Sequence, residues 1–224
     1  MEKGYDKALA KEWIDWVETP GAQGARAQEI LPFIRNWLKE TEPKVLADIG
    51  CGQGQCSELV DASVEYIGID PSHEMIKRAK HLFSHKNKQF IEGNAYKIPL
   101  KDRSVDAAMS IWVWSHLDDI ETAAREMFRV LENGGRFLII TANPETYEER
   151  KTFYKSYTIK GNLLIGTFDL GDGKVLTDTI LCLHSKKQIE DAIKHAGLKI
   201  NHIKRIGQAE TSNNGLYLAI EGSK

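Results

Sequence analysis

The sequence predicts an α/β fold on a doubly wound, mostly parallel sheet. Three observations predict it. Short apolar runs at residues 44–49, 66–69, 89–92, 105–111 and 136–141 alternate with amphipathic stretches. A glycine turn, Gly50-Cys51-Gly52-Gln53-Gly54, follows the first run directly. An acidic residue, Asp70, ends the second run. Strands covered on both faces read as short apolar runs. Helices between them imply parallel pairing with right-handed crossovers.

The elements follow in order. Residues 7–17 carry Leu9, Trp13 and Trp16 or Val17 at helical spacing, and Thr19-Pro20-Gly21-Ala22 breaks the pattern. A second helix spans about 25–39, with Ile30, Phe33, Ile34 and Trp37 on one face. After the first strand come the glycine turn and a helix. Helices at 74–83 and about 119–131 separate the later strands, and Asn133-Gly134-Gly135 turns the chain into the fifth. The rhythm then changes. Residues 162–170 and 174–183 read as two strands around Gly171-Asp172-Gly173, a strong hairpin signal. A helix at 186–196 ends at Gly197, and 198–206 and 216–221 are the last strands. The reading is one domain over 1–224: a helical cap at 1–42, a core at 43–142, an insert or lid at 143–184, and the end of the sheet at 185–224.

Composition narrows the classes. The 224 residues are 42% hydrophobic and 28% charged, an ordinary globular balance. Thirty basic and 32 acidic side chains give a formal charge of −2, so no basic surplus favours nucleic acid. The polar start has no signal-peptide pattern, and no apolar run is long enough to span a bilayer. Three cysteines, Cys51, Cys56 and Cys182, lack metal-ligand spacing and read as reduced thiols in a cytoplasmic protein. His81 and His85 share i,i+4 spacing without a supporting Glu, so no metal is expected. Monomer and homodimer both remain open.

Glycines after a strand let the backbone approach a ligand closely, and a helix N-terminus offers free N–H groups. Asp70, about twenty residues on, can accept from both hydroxyls of a ribose. A nucleoside-bearing cofactor follows. The spacing is Gly-x-Gly-x-Gly, with Gln55 where the dinucleotide fingerprint has its third glycine, and no phosphate-binding lysine follows.

Asp48-Ile49-Gly50-Cys51-Gly52-Gln53-Gly54 resembles the first motif of class I S-adenosylmethionine-dependent methyltransferases. Four further segments resemble the same family: Ile67-Gly68-Ile69-Asp70-Pro71-Ser72 with Met75; Glu92-Gly93-Asn94-Ala95 with Ile98-Pro99-Leu100; Ser104-Val105-Asp106-Ala107-Ala108-Met109-Ser110; and Leu131-Glu132-Asn133-Gly134-Gly135-Arg136. The resemblance covers roughly 45–141. It implies a Rossmann-like, seven-stranded sheet with an antiparallel last strand, an N-terminal helical lid and a β-hairpin insert after the fifth strand. It implies S-adenosylmethionine as cofactor and S-adenosylhomocysteine as product. Asp48 is then placed on the methionine ammonium. Gly50, Cys51, Gly52 and Gly54 line the methionine and ribose. Asp70 holds the ribose, Pro71, Ser72 or Met75 lies near the adenine, and Asn94 with Ala95 holds the base. The family often has Asp where Asn94 stands; Asn can still accept through its carbonyl oxygen.

Methyl transfer from a sulfonium is an in-line displacement and needs position more than a nucleophile. Ile111-Trp112-Val113-Trp114-Ser115-His116-Leu117 leaves the fourth strand at the cofactor mouth. Ile111 and Trp112 are candidate cofactor contacts. His116 is a candidate general base, with a scaffold histidine as the other reading. Trp112 is a candidate acceptor contact, with core packing as its rival, and Trp114 reads as core. Tyr5 on the cap, and Tyr154, Tyr157 and His184 framing the insert, are candidate acceptor contacts. The run Glu148-Glu149-Arg150-Lys151 reads as a solvated helix face. The chain is similar to the small-molecule branch, of ubiquinone-biosynthesis-like and toxoflavin-type enzymes, which implies a small-molecule acceptor. Two rival readings stand: an RNA methyltransferase, and a non-catalytic sensor or scaffold that binds the cofactor. Asn143-Pro144 is followed by Glu145-Thr146, which does not match the motif of adenine-N6 enzymes.

Overall fold

The structure, a computed structural model, describes residues 30–171, 173–207 and 215–224. The proposed first helix, with Tyr5, Trp13 and Trp16, lies outside the described residues.

The chain enters through helix α1 (Leu31–Thr41), whose Ile34, Trp37 and Leu38 are buried at helical spacing. Glu42 ends it in a left-handed conformation (φ 46°), its N–H bonding the Leu38 carbonyl at 2.9 Å, and Pro43 blocks continuation. Strands β1 (Val45–Ile49), β2 (Glu65–Asp70), β3 (Lys88–Glu92), β4 (Val105–Ile111) and β5 (Leu131–Ala142) then alternate with helices α2 (His73–Phe83) and α3 (Ile120–Val130). Both helices are capped by side chains: Ser72 accepts from Met75 N, and Asp119 from Thr122 N. After β5 come a short α4 (Tyr147–Arg150), strands β6 (Tyr154–Lys160), β7 (Leu163–Gly171) and β8 (Lys174–Cys182), helix α5 (Lys186–His195), and strands β9 (Lys199–Ile206) and β10 (Tyr217–Ser223). Helix α5 opens with a Ser185–Gln188 capping box.

The main sheet has seven strands in the order β3-β2-β1-β4-β5-β10-β9. Strands β1 to β5 pair in parallel, while β10 lies antiparallel between β5 and β9. The predicted doubly wound sheet with an antiparallel last strand is therefore the observed one. One apolar cluster joins α3 and α5 to one face through Trp114, Ala123, Met127, Ile189 and Ile193. A second joins α1 and α2 to the other through Ile34, Trp37, Ile76 and Ala79. Strand order reverses between β1 and β4, where the carboxyl ends open a crevice.

Three details depart from the sequence reading. The glycine turn leads into a single 3₁₀ segment (Gln55–Leu59), not a longer helix. The Asp61 carboxylate takes both the N–H and the hydroxyl of Ser63, at 2.9 and 2.7 Å, and this local turn competes with helix extension. Strand β5 begins at Leu131 instead of 136; the Asn133-Gly134-Gly135 turn is an irregularity inside it, where pairing steps from Val105↔Leu131 to Ala107↔Arg136. The insert is a three-stranded antiparallel sheet, β6-β7-β8. Strand β6 escapes an apolar-run reading because six of its seven residues are exposed, so YKSYTIK carries little core pattern.

Candidate functional site

The candidate cofactor residues lie along neighbouring strand ends. Asp48 is on β1, Asp70 ends β2, Asn94 follows β3, and Ile111 with Trp112 ends β4. Their order in space, β3-β2-β1-β4, makes them one row along the carboxyl edge at the switch point.

Asp48 is buried (1% exposed), and its Oδ2 accepts from the Tyr66 hydroxyl at 2.6 Å. Gly68 sits opposite Asp48 in the parallel register and lets Phe90 and Cys51 approach closely; a Cβ there would meet Phe90 at 2.8 Å and Cys51 Sγ at 2.9 Å. Burial, reinforced by Asp48, pushes the Tyr66 hydroxyl well above its ordinary value, so it stays a donor. Cys51 is held protonated in the same way, by burial first and then by Asp48 and Asp70.

Asp70 organises the turn. Its Oδ2 accepts from Gly52 N and its Oδ1 from Ser72 N, both at 2.9 Å. Burial raises its pKa, and those two hydrogen bonds pull the other way. Gly50 N and Cys51 N both donate to the Ile69 carbonyl, at 2.7 and 3.0 Å, tying the turn to β2. Among the described residues, a Cβ on Gly52 would meet nothing within 4 Å, so they leave open space above the turn at that point. Gln53, beside it, is only 5% exposed, and neither side-chain polar atom has a hydrogen-bond partner.

Asn94 shows a finer departure. Its Oδ1 accepts from Tyr96 N at 3.0 Å and Lys97 N at 2.9 Å. The carbonyl oxygen expected to meet a base is thus used in capping its own loop, and the amide NH₂ is the group left to face outward. That loop is pinned to α3. Glu126 accepts from Ile98 N, and Arg129 donates to the carbonyls of Ile98 and Leu100, each at 2.8 Å. Ala95 and Met75 are buried, while Pro71 is exposed.

At the β4 exit, Trp112 takes a left-handed conformation (φ 62°), which is strained for a residue with a Cβ. Its N–H bonds the Ile140 carbonyl at 2.7 Å. The turn swings its ring onto Tyr217, with centroids 5.6 Å apart. Trp114 points into the core. His116 occupies a crevice: protein surrounds it, yet the residue stays open to solvent. Its Nδ1 lies 2.9 Å from the Ile180 carbonyl on β8. The surrounding protein lowers its pKa, the Ile180 carbonyl opposes that, and the Arg150 charge adds to it. A neutral ring donating Nδ1–H to Ile180 carries its lone pair on Nε2.

The insert side is mixed. Tyr154 packs edge-on against Phe168, with centroids 5.2 Å apart; burial raises its pKa while Thr179 and Arg150 oppose. Tyr157 is 44% exposed. His184 is 4% exposed and its Nε2 lies 2.7 Å from the Leu117 carbonyl, which makes it a tie between the β4 exit and the end of β8. Tyr5 lies outside the described residues. Asn143 is fully buried, donating Nδ2–H to the Gly215 carbonyl at 2.8 Å.

Tyr66, Gln53, Arg150 and Tyr217 lie beside the candidate residues, and the sequence reading does not single them out. The run around Arg150 is the one correction of charge: Arg150 is only partly exposed and lies 4.8 Å from the Tyr217 ring centroid. Among the described residues, no group of three or more His, Cys, Asp or Glu is placed to hold a metal, and no helix is long and apolar enough to cross a membrane.

Open space above Gly52, an unpartnered buried amide at Gln53 and two buried carboxylates on adjacent strands suit a polar, nucleoside-bearing ligand. This fold with this edge is the arrangement that Rossmann-like methyltransferase structures share. Residues 47–139 match the family described as methyltransferase domain. Demethylmenaquinone methyltransferase of Thermotoga maritima is 26% identical over 173 residues, spanning 73% of this chain and 74% of its own length. A Pyrococcus horikoshii OT3 protein superposes with a TM-score of 0.74 at 17% identity, over 92% of both chains. An S-adenosylmethionine-dependent methyltransferase of Mesorhizobium loti superposes with a TM-score of 0.65 at 18% identity, over 87% of this chain and all of the other. At those identities the two structures speak for the fold. Together these findings show a methyltransferase domain over residues 47–139, in a chain similar to proteins named as S-adenosylmethionine-dependent methyltransferases.

Proposed function

We propose that this protein transfers a methyl group to a small-molecule acceptor, with the cofactor seated along the β3-β2-β1-β4 edge. The observation that carries this is the row of Asp48, Asp70 and Asn94 at three adjacent strand ends beside open space over Gly52. Bound there, S-adenosylmethionine supplies an activated methyl on its sulfonium. Asp48, its carboxylate fixed by Tyr66, holds the methionine ammonium. The buried Gln53 amide, which both donates and accepts, completes the amino-acid end. Asp70 keeps Gly52 and Ser72 in place and accepts from the ribose hydroxyls with its remaining lone pairs.

Trp112 shapes the space beside the donor methyl, and its aromatic face favours a cationic sulfonium. His116, held neutral, can take a proton from the acceptor at Nε2. A small acceptor is supported by the likeness to a demethylmenaquinone methyltransferase and by the balanced charge of the chain. The test is turnover of methyl-labelled S-adenosylmethionine with a metabolite extract, beside calorimetry with S-adenosylhomocysteine. Labelled product with a small solute supports the reading. Tight S-adenosylhomocysteine binding with no turnover points to a sensor instead, and label in added RNA points to a nucleic-acid enzyme.

A further inference from the structure

Arg150 ends a row of three groups that begins where β4 meets the cofactor edge. The ring of Trp112 packs on Tyr217, and the Arg150 guanidinium lies over the other ring of that pair, 4.8 Å from its centroid. Arg150 Nη2 donates to the Leu216 carbonyl. Its Nε–H is buried and meets no acceptor. Arg150 is in none of the ion pairs among the described residues. A guanidinium held by a ring and one carbonyl has lost hydration without gaining a counter-charge. Its planar donor edge suits an oxyanion.

Three neighbouring groups feel its charge. His116, Tyr147 and Tyr154 all lie within its field, and each is biased by it toward the form that avoids a second positive charge or tolerates a negative one. Tyr154 is hydrogen-bonded to Thr179. The region between the β4 exit and the insert therefore carries a positive charge beside flat aromatic rings.

We propose that the methyl acceptor is a flat, unsaturated oxyanion, a carboxylate or a phenolate, whose oxygen pairs with the partly exposed Arg150 guanidinium while its ring lies against Trp112 and Tyr217. This rests on the reading that the cofactor occupies the adjacent strand edge, and it adds the charge and shape of the second substrate.

The test is calorimetry on the full chain saturated with S-adenosylhomocysteine, titrated with matched probes: benzoate against benzamide, and 4-nitrophenolate against 4-nitroanisole. The charged member of at least one pair is expected to bind about tenfold or more tightly, the size of a charge-assisted hydrogen bond. The pair that discriminates tells carboxylate from phenolate. Arg150→Met should abolish that preference and Arg150→Lys should keep part of it, both with unchanged S-adenosylhomocysteine affinity. Equal affinity within both pairs in the wild type overturns the proposal, as does a preference that survives Arg150→Met. If Arg150→Met does not fold, the wild-type pairs and Arg150→Lys decide. Failure of S-adenosylhomocysteine to bind the wild type overturns the cofactor reading instead.

Discussion

Gly50→Ala is the sharpest test of the turn that positions the cofactor. Gly50 has φ +81°, where an added Cβ costs about 1–2 kcal/mol. That Cβ would also stand 2.2 Å from Val113 Cγ2, 3.2 Å from Cγ1 and 3.3 Å from Cβ. Rotating Val113 exchanges one clash for another, so backbone must move, at about 1–3 kcal/mol for an overpacked site. The sum is about 2–5 kcal/mol, or a fall of roughly 5–15 °C in Tm for a chain of this size. The two contributions separate experimentally. Val113→Ala in the Gly50→Ala background removes the overlap and leaves the backbone strain. A double-mutant cycle by thermal or urea unfolding should therefore show a favourable coupling of about 1–3 kcal/mol. Because Val113 follows Trp112 directly, Gly50→Ala should also weaken S-adenosylhomocysteine, and the double variant should regain part of that loss. Additive stabilities within about 0.5 kcal/mol, with unchanged affinity, would refute the close approach of the two segments.

Further outcomes follow at three residues from the same geometry. Asp70→Ala should weaken S-adenosylhomocysteine about tenfold or more by calorimetry. Burial raises the folded-state pKa of Asp70, so its contribution to stability is fully present below its ordinary 3.8 and is lost as pH rises through the raised value. The stability gap between wild type and Asp70→Ala should accordingly narrow as pH increases, and a gap that widens contradicts the burial argument. Asn94→Asp keeps the cap on Tyr96 and Lys97 and exchanges an outward donor for an acceptor. It should raise the preference for S-adenosyl- over S-inosylhomocysteine about tenfold, and equal preference in both proteins removes Asn94 from the base site. His116 is depressed below its ordinary 6.5, so the acid limb of kcat/KM against pH should lie below that value and vanish in His116→Gln; a limb that persists in the variant belongs to another group. Its contribution to folding runs the same way, present above 6.5 and lost as pH falls through the lowered value.

The row of residues proposed to hold the donor was legible in the sequence because strand ends carry it. Asp48, Asp70 and Asn94 each sit at a fixed offset from an apolar run, and parallel pairing sets those ends side by side. What the sequence concealed there is orientation. Nothing in the spelling of the second strand says that Tyr66 leans across to Asp48. Nothing in the third motif says that the Asn94 oxygen turns back on its own loop. A glutamine in a turn ordinarily reaches solvent, so the burial of Gln53 has no local signal either.

The acceptor half has no such grammar. Arg150 is spelled inside Glu-Glu-Arg-Lys, a pattern that reads as surface, and becomes a site residue only because β10 returns to lay Tyr217 beneath it. His116 gains its hydrogen bond from Ile180, sixty-four positions away on a strand of the insert. These contacts arise from three separate segments meeting over one strand end, and each segment alone is satisfied by a bland reading. The division has a physical consequence. Backbone hydrogen bonds and pleat register hold the donor half, so changes there register as strain or lost cofactor. Side chains on the insert and on the neck of β10 hold the acceptor half, so they can be exchanged with little effect on the sheet. Specificity should therefore move with Arg150, Tyr154 and Tyr217, while cofactor affinity stays with Asp48, Asp70 and the glycine turn.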